Sequence, residues 1–87
     1  MNAQFASNEL HRAAIVSMNG MHVQGAFVAL EAQKMAGECR AKSAKLIAER
    51  ANSYIRSLPV RMKKDGITDP EVWERAEKII AESNSLV

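Results

Sequence analysis

Apolar residues recur at helical spacing along most of the chain. Leu10, Ala13, Ala14, Val16 and Met18 form a first series, preceded by Ser7 or Asn8 as an N-cap and by Glu9 in the first turn. Asn19-Gly20 is a strong turn signal, so the spacing predicts a helix over residues 7–18. Residues 1–6 carry no such pattern and are expected to be disordered.

The middle of the chain holds the longest pattern. No proline interrupts residues 22–58. Met21, Val28 and Met35 recur every seven residues, and so do Ala32, Cys39 and Leu46. The two sets interleave at spacings of four and three, which makes them one stripe on an α-helix. A second series, Ala44, Ile47, Ala51, Tyr54, Ile55 and Leu58, lies on a rotated face. The prediction is a single long helix over 22–57 whose two ends meet different neighbours. Such a helix either bends near Gly37 or needs a partner along its stripe, and the partner is the favoured reading.

Pro59 is read as the stop of that helix, because the residue before a proline is pushed out of the α region. Residues 59–68 then form a basic connection with a turn at Asp65-Gly66. The third helix, 69–83, has the clearest start: Thr68 or Asp69 as cap, Pro70 in the first turn and Glu71 behind it. Val72, Trp73, Ala76, Ile79 and Ile80 give it one apolar face. Residues 84–87 read as a flexible tail. The expected fold is therefore all-α: one domain over 7–83, three helices with a long central one, closing into a dimeric helical bundle.

Composition sharpens this picture. Eighty-seven residues bury only roughly 60–65% of the surface the unfolded chain exposes, so a single core is marginal without disulfides, a metal or association. One cysteine makes no internal disulfide, which leaves association. Cys39 reads as a reduced thiol. No signal-peptide pattern is seen, and the longest apolar run, Ala26 to Leu30, is far below the ~20 residues that span a bilayer. A cytoplasmic protein is expected, of a bacterium or of an infected host cell, in the manner of phage and bacterial accessory proteins.

Candidate chemistry is sparse. His11, His22 and Cys39 are the only borderline or soft metal ligands, and they show no metal-binding spacing. No nucleophile motif, phosphate loop or carboxylate pair stands out, so neither metal nor cofactor is expected, and no catalytic residue is assigned. Net charge is only +2, with both signs mixed along the central segment. The densest basic cluster is Arg56, Arg61, Lys63 and Lys64, a possible contact for an acidic partner or a nucleic-acid backbone.

A scan for a helix-turn-helix across Asn19-Gly20 fails, since Val23, Phe27 and Val28 stand where groove-reading polar residues belong. Trp73 is expected to pack the third helix onto the second, with its indole N–H on an acceptor.

The function expected from these features is that of a small non-enzymatic interaction protein: an adaptor, inhibitor or regulator of a larger protein. Its partner-binding or dimer face is expected at Met21, Val28, Met35, Cys39 and Leu46. The alternatives are a nucleic-acid-associated regulator using Arg56 to Lys64 and a structural oligomer subunit. The expected partners are a second copy of the chain and one further protein, with no membrane involved.

Overall fold

A computed structural model describes residues 2–87, all but Met1. Five helices follow one another: α1 (Ala3–Met18), α2 (His22–Gly37), α3 (Lys42–Arg56), α4 (Leu58–Lys64) and α5 (Pro70–Ser85). Among the described residues there is no strand. None of the helices is long and apolar enough to cross a membrane.

α2 is the axis of the molecule, packed by α1, α3, α4 and α5. Its contact with α1 is built from small residues. Ala6, Ala13 and Ser17 are buried on α1, and Gly25, Ala29, Ala32 and Ala36 on α2. Gly25 marks the closest approach: a Cβ there would lie 2.8 Å from the Ala13 carbonyl oxygen and 3.2 Å from Ser17 Cβ. Larger side chains complete the core, where Leu30 and Ile55 cluster with Ala13 and Ala29, and Leu58 and Met62 cluster with Ala26 and Ala76.

The chain departs from the sequence expectation at four places. First, α1 starts at Ala3, inside the segment expected to be disordered. The Asn2 side chain caps it by accepting from the Phe5 N–H at 3.0 Å, and Ala6 is fully buried. Met1, the first residue of that segment, lies outside the described residues.

Second, the segment 22–57 is two helices, not one. α2 ends at Gly37, residues 38–41 run without helix, and Ala41 turns extended (φ −66°, ψ 142°) to open α3. Folding α3 back buries Ala44 and Ile47 against Ala6 and Ala36, with Met35 and Cys39 packed alongside. That burial outweighs the few hydrogen bonds a straight helix would have kept.

Third, Pro59 does not end helical structure. It sits in the first turn of α4, where its missing N–H costs nothing, with Ser57 between α3 and α4 as the shared cap.

Both expected glycine turns are present. Gly20 (φ 84°) and Gly66 (φ 71°) adopt the left-handed conformation that glycine tolerates. Asp69 caps α5 by accepting from Glu71 N–H at 2.9 Å, and, as the fourth departure, α5 runs past its expected end to Ser85, into the segment expected to be a flexible tail. The Trp73 indole donates to the Ile67 carbonyl at 2.8 Å while its ring packs beside Leu58 and Met62. The bend at residues 65–69 is held from both sides.

Candidate functional site

The expected stripe is not an open seam. Val28, Met35 and Cys39 are half-buried against the chain's own core clusters. Cys39 also reaches the Met35 carbonyl, with Sγ donating at 3.4 Å. Only Met21 (52%) and Leu46 (48%) of the five keep about half their surface in water. The break at 38–41 separates these two along the chain, and no single face gathers all five.

The basic cluster is likewise divided. Arg56, Lys63 and Lys64 point to solvent, but Arg61 turns inward. Its guanidinium lies 4.0 Å from the Tyr54 ring centroid and donates to Tyr54 Oη (3.0 Å), the Tyr54 carbonyl (2.8 Å) and Ser17 Oγ (2.7 Å). Burial lowers the Arg61 pKa, partly opposed by Tyr54. Arg61 is a structural cation that ties α4 to α1 and α3.

The same hydroxyl continues the network. Ser17 Oγ lies 2.6 Å from His22 Nδ1, and His22 Nε2 lies 2.5 Å from Asp65 Oδ2. A guanidinium only donates, so Ser17 Oγ accepts from Arg61 while it also shares a hydrogen bond with Nδ1 of His22, whose Nε2 faces Asp65. An Asp–His–Ser order invites comparison with a nucleophilic triad. Here Ser17 is 5% exposed, sits at the carboxyl end of α1, and has both its hydrogen-bonding directions occupied. The arrangement locks the α4–α5 bend onto α1 and α2. Among the described residues, no group of three or more His, Cys, Asp or Glu is placed to hold a metal ion.

Several concave surfaces remain, among them one of about 370 Å³ at the break between α2 and α3 and two broader grooves. The larger, a groove of about 900 Å³, runs between α2, α3 and the end of α5. Its floor includes Gln33 and Asn52, both buried, and these amides are fixed by Ser83. Ser83 Oγ donates to Gln33 Oε1 (2.5 Å) and accepts from Asn52 Nδ2 (2.8 Å), while Gln33 Nε2 donates to the Ser83 carbonyl (3.0 Å). The walls alternate in sign: Lys34 on α2, Glu38 just after it, and Lys45, Glu49 and Arg56 on α3. Lys34 is anchored to Glu82 (2.9 Å) and lies 3.6 Å from Glu31; its hydrogen bond to Glu82 above all raises its pKa.

The smaller groove, about 410 Å³, lies between α2 and α5 and is lined by Val23, Phe27, Val28 and Ile79. Arg75 and Lys78 lend it their methylene stems and hold their charged ends outward.

Sequence reasoning missed the amide floor. Asn52 stands between Ala51 and Ile55 on the buried face of α3, and a polar residue inside an apolar series was the signal that could have found it. Gln33, between Ala32 and Ala36, carried the same signal. Nothing in the chain order announced Ser83.

Compared with known protein families, curated proteins and solved structures, the chain matches none of them.

Proposed function

We propose that this chain is a small non-enzymatic interaction protein, an adaptor, inhibitor or regulator that holds a segment of a larger protein in the groove between α2, α3 and the end of α5. One observation carries the reading: a long groove with a rigid amide floor and walls of alternating charge. A peptide presents amide groups and side chains of both signs, so it matches such a surface. A phosphate backbone needs walls of one sign. The inward turn of Arg61 also weakens the nucleic-acid alternative by removing one cation from the solvent-facing cluster.

We include a homodimer in this reading. The accessible surface of 5638 Å² exceeds the roughly 5,100 Å² expected for a monomer of this mass, and several large apolar side chains remain in water. Phe27, Met18, Met21 and Val60 are each more than half exposed.

The test is selection from a displayed library of random 16-residue peptides on the immobilised protein. The reading expects enriched peptides with both acidic and basic residues that lose binding to Ala48→Trp, which places an indole in the groove that Ala48 lines. Enriched peptides that bind Ala48→Trp equally well, or none enriched, would sink it. Salt-steep binding of DNA or RNA that disappears when Arg56, Lys63 and Lys64 are reversed would install the nucleic-acid reading instead.

A further inference from the structure

The outward face of α2 carries both a knob and a hole. Phe27 is 55% exposed and forms one wall of the α2–α5 groove, whose volume of about 410 Å³ takes a phenyl ring. A surface that presents a projection next to a matching recess is self-complementary under a two-fold axis. We propose that a second copy of this chain occupies the groove, with α2 and its symmetry mate antiparallel and Phe27 at the axis. Each Phe27 then enters the recess lined by Val23, Val28 and Ile79 of the other copy.

The charges on this face fit the same register. In an antiparallel pair centred on residue 27, position 31 faces position 23, about 6 Å from the axis point at 1.5 Å per residue. Glu31 of one copy therefore arrives over Val23 of the other, at the rim that Arg75 forms. Both groups have charge to offer. Arg75 makes no ion pair among the described residues. Glu31 has only a 3.6 Å approach from Lys34, which is held more closely by Glu82. Lys78, 77% exposed and 3.6 Å from Glu74, adds a second cation to the same rim. The interface thus has an aromatic centre and a charged rim, the usual anatomy of a specific contact.

The inference rests on the homodimer in the proposed function and names its surface. Light scattering across a dilution series reads the mass, expected at twice 9.6 kDa. Phe27→Asp is expected to weaken association at least about thirty-fold, as loss of a central aromatic does. Its far-ultraviolet spectrum should be unchanged, because this side chain is outside the core.

Arg75→Glu should weaken the dimer, and Glu31→Arg added to it should restore association. In a Cys39→Ser background, Phe27→Cys should give a disulfide-linked dimer on mild oxidation, since the two positions meet at the axis. A monomer at every concentration overturns both the inference and the dimer reading. A dimer indifferent to Phe27→Asp, with no Phe27→Cys cross-link, overturns the inference alone.

Discussion

Arg61 and Tyr54 face one another across the end of α3, the guanidinium 4.0 Å from the ring centroid and bonded to both the hydroxyl and the main-chain carbonyl. That carbonyl, in the last turn of α3, also accepts from Ser57 Oγ at 2.6 Å, and Arg61 Nε lies 3.3 Å from the same hydroxyl. Arg61 and Ser57 together hold the junction of α3 and α4, and Arg61 reaches on to Ser17 on α1. Arg61→Met should destabilise the fold by about 2–3 kcal/mol, through several lost charge-assisted bonds and a lost cation–π contact. Arg61→Lys should recover less than half of this, since an ammonium cannot make the same fork of bonds. Urea denaturation of the two variants checks it.

Gly25 and Gly37 should respond to the same change with opposite signs. A methyl group at Gly25 meets the Ala13 carbonyl at 2.8 Å, so Gly25→Ala is expected to cost about 1–3 kcal/mol despite better helix propensity. At Gly37 nothing lies within 4 Å of the added atom, so Gly37→Ala should stabilise by about 0.5 kcal/mol. Thermal melts of the pair separate close packing from propensity.

Ser83 holds two buried amides at once. Ser83→Ala leaves Gln33 Oε1 without its donor and Asn52 Nδ2 with Asn84 Oδ1 alone, at an expected cost of about 2 kcal/mol. Hydrogen exchange should speed up first in the last turns of α5. If protection there is unchanged, the amide floor is not what holds α5 down.

Lys34 gives a pH dependence with a definite sign. Its pKa is raised above 10.5 in the folded chain, chiefly by Glu82. A raised cationic pKa adds stability below the unfolded value, and that increment is lost as pH climbs through the folded one. Wild type should therefore exceed Lys34→Met in stability at neutral pH, with the gap closing only in strongly alkaline solution. A gap that persists unchanged there points to packing of the lysine stem instead.

Much of the helical content was legible because it rests on local chemistry. The Asn19-Gly20 and Asp65-Gly66 turns, the Asp69 cap and the need of Trp73 for an acceptor all follow from residues close in sequence. The break at 38–41 was legible only as a bend near Gly37, the reading set aside in favour of a partner along the stripe. Glu38, Cys39, Arg40 and Ala41 contain neither proline nor glycine, and the gain that opens the helix lies in Ala44 and Ile47 meeting Ala6 and Ala36.

Pro59 misled for a different reason: the rule that ends one helix also permits proline to begin the next. Arg61 looked like any cation in its cluster, and only the fold brings Ser17 and Tyr54 to it. Of the grooves, the alternating charges were visible in sequence, but the surfaces that bring them together were not.

The four residues between α2 and α3 also set how long the molecule is. Were they to join the helix, residues 22–56 would form a rod of roughly 52 Å, longer than the molecule's present 40 Å. α3 would then be carried away from α2, and Ala44 and Ile47 would lose the cover of Ala6 and Ala36. Four residues without helix are thus what turns a rod into a closed core.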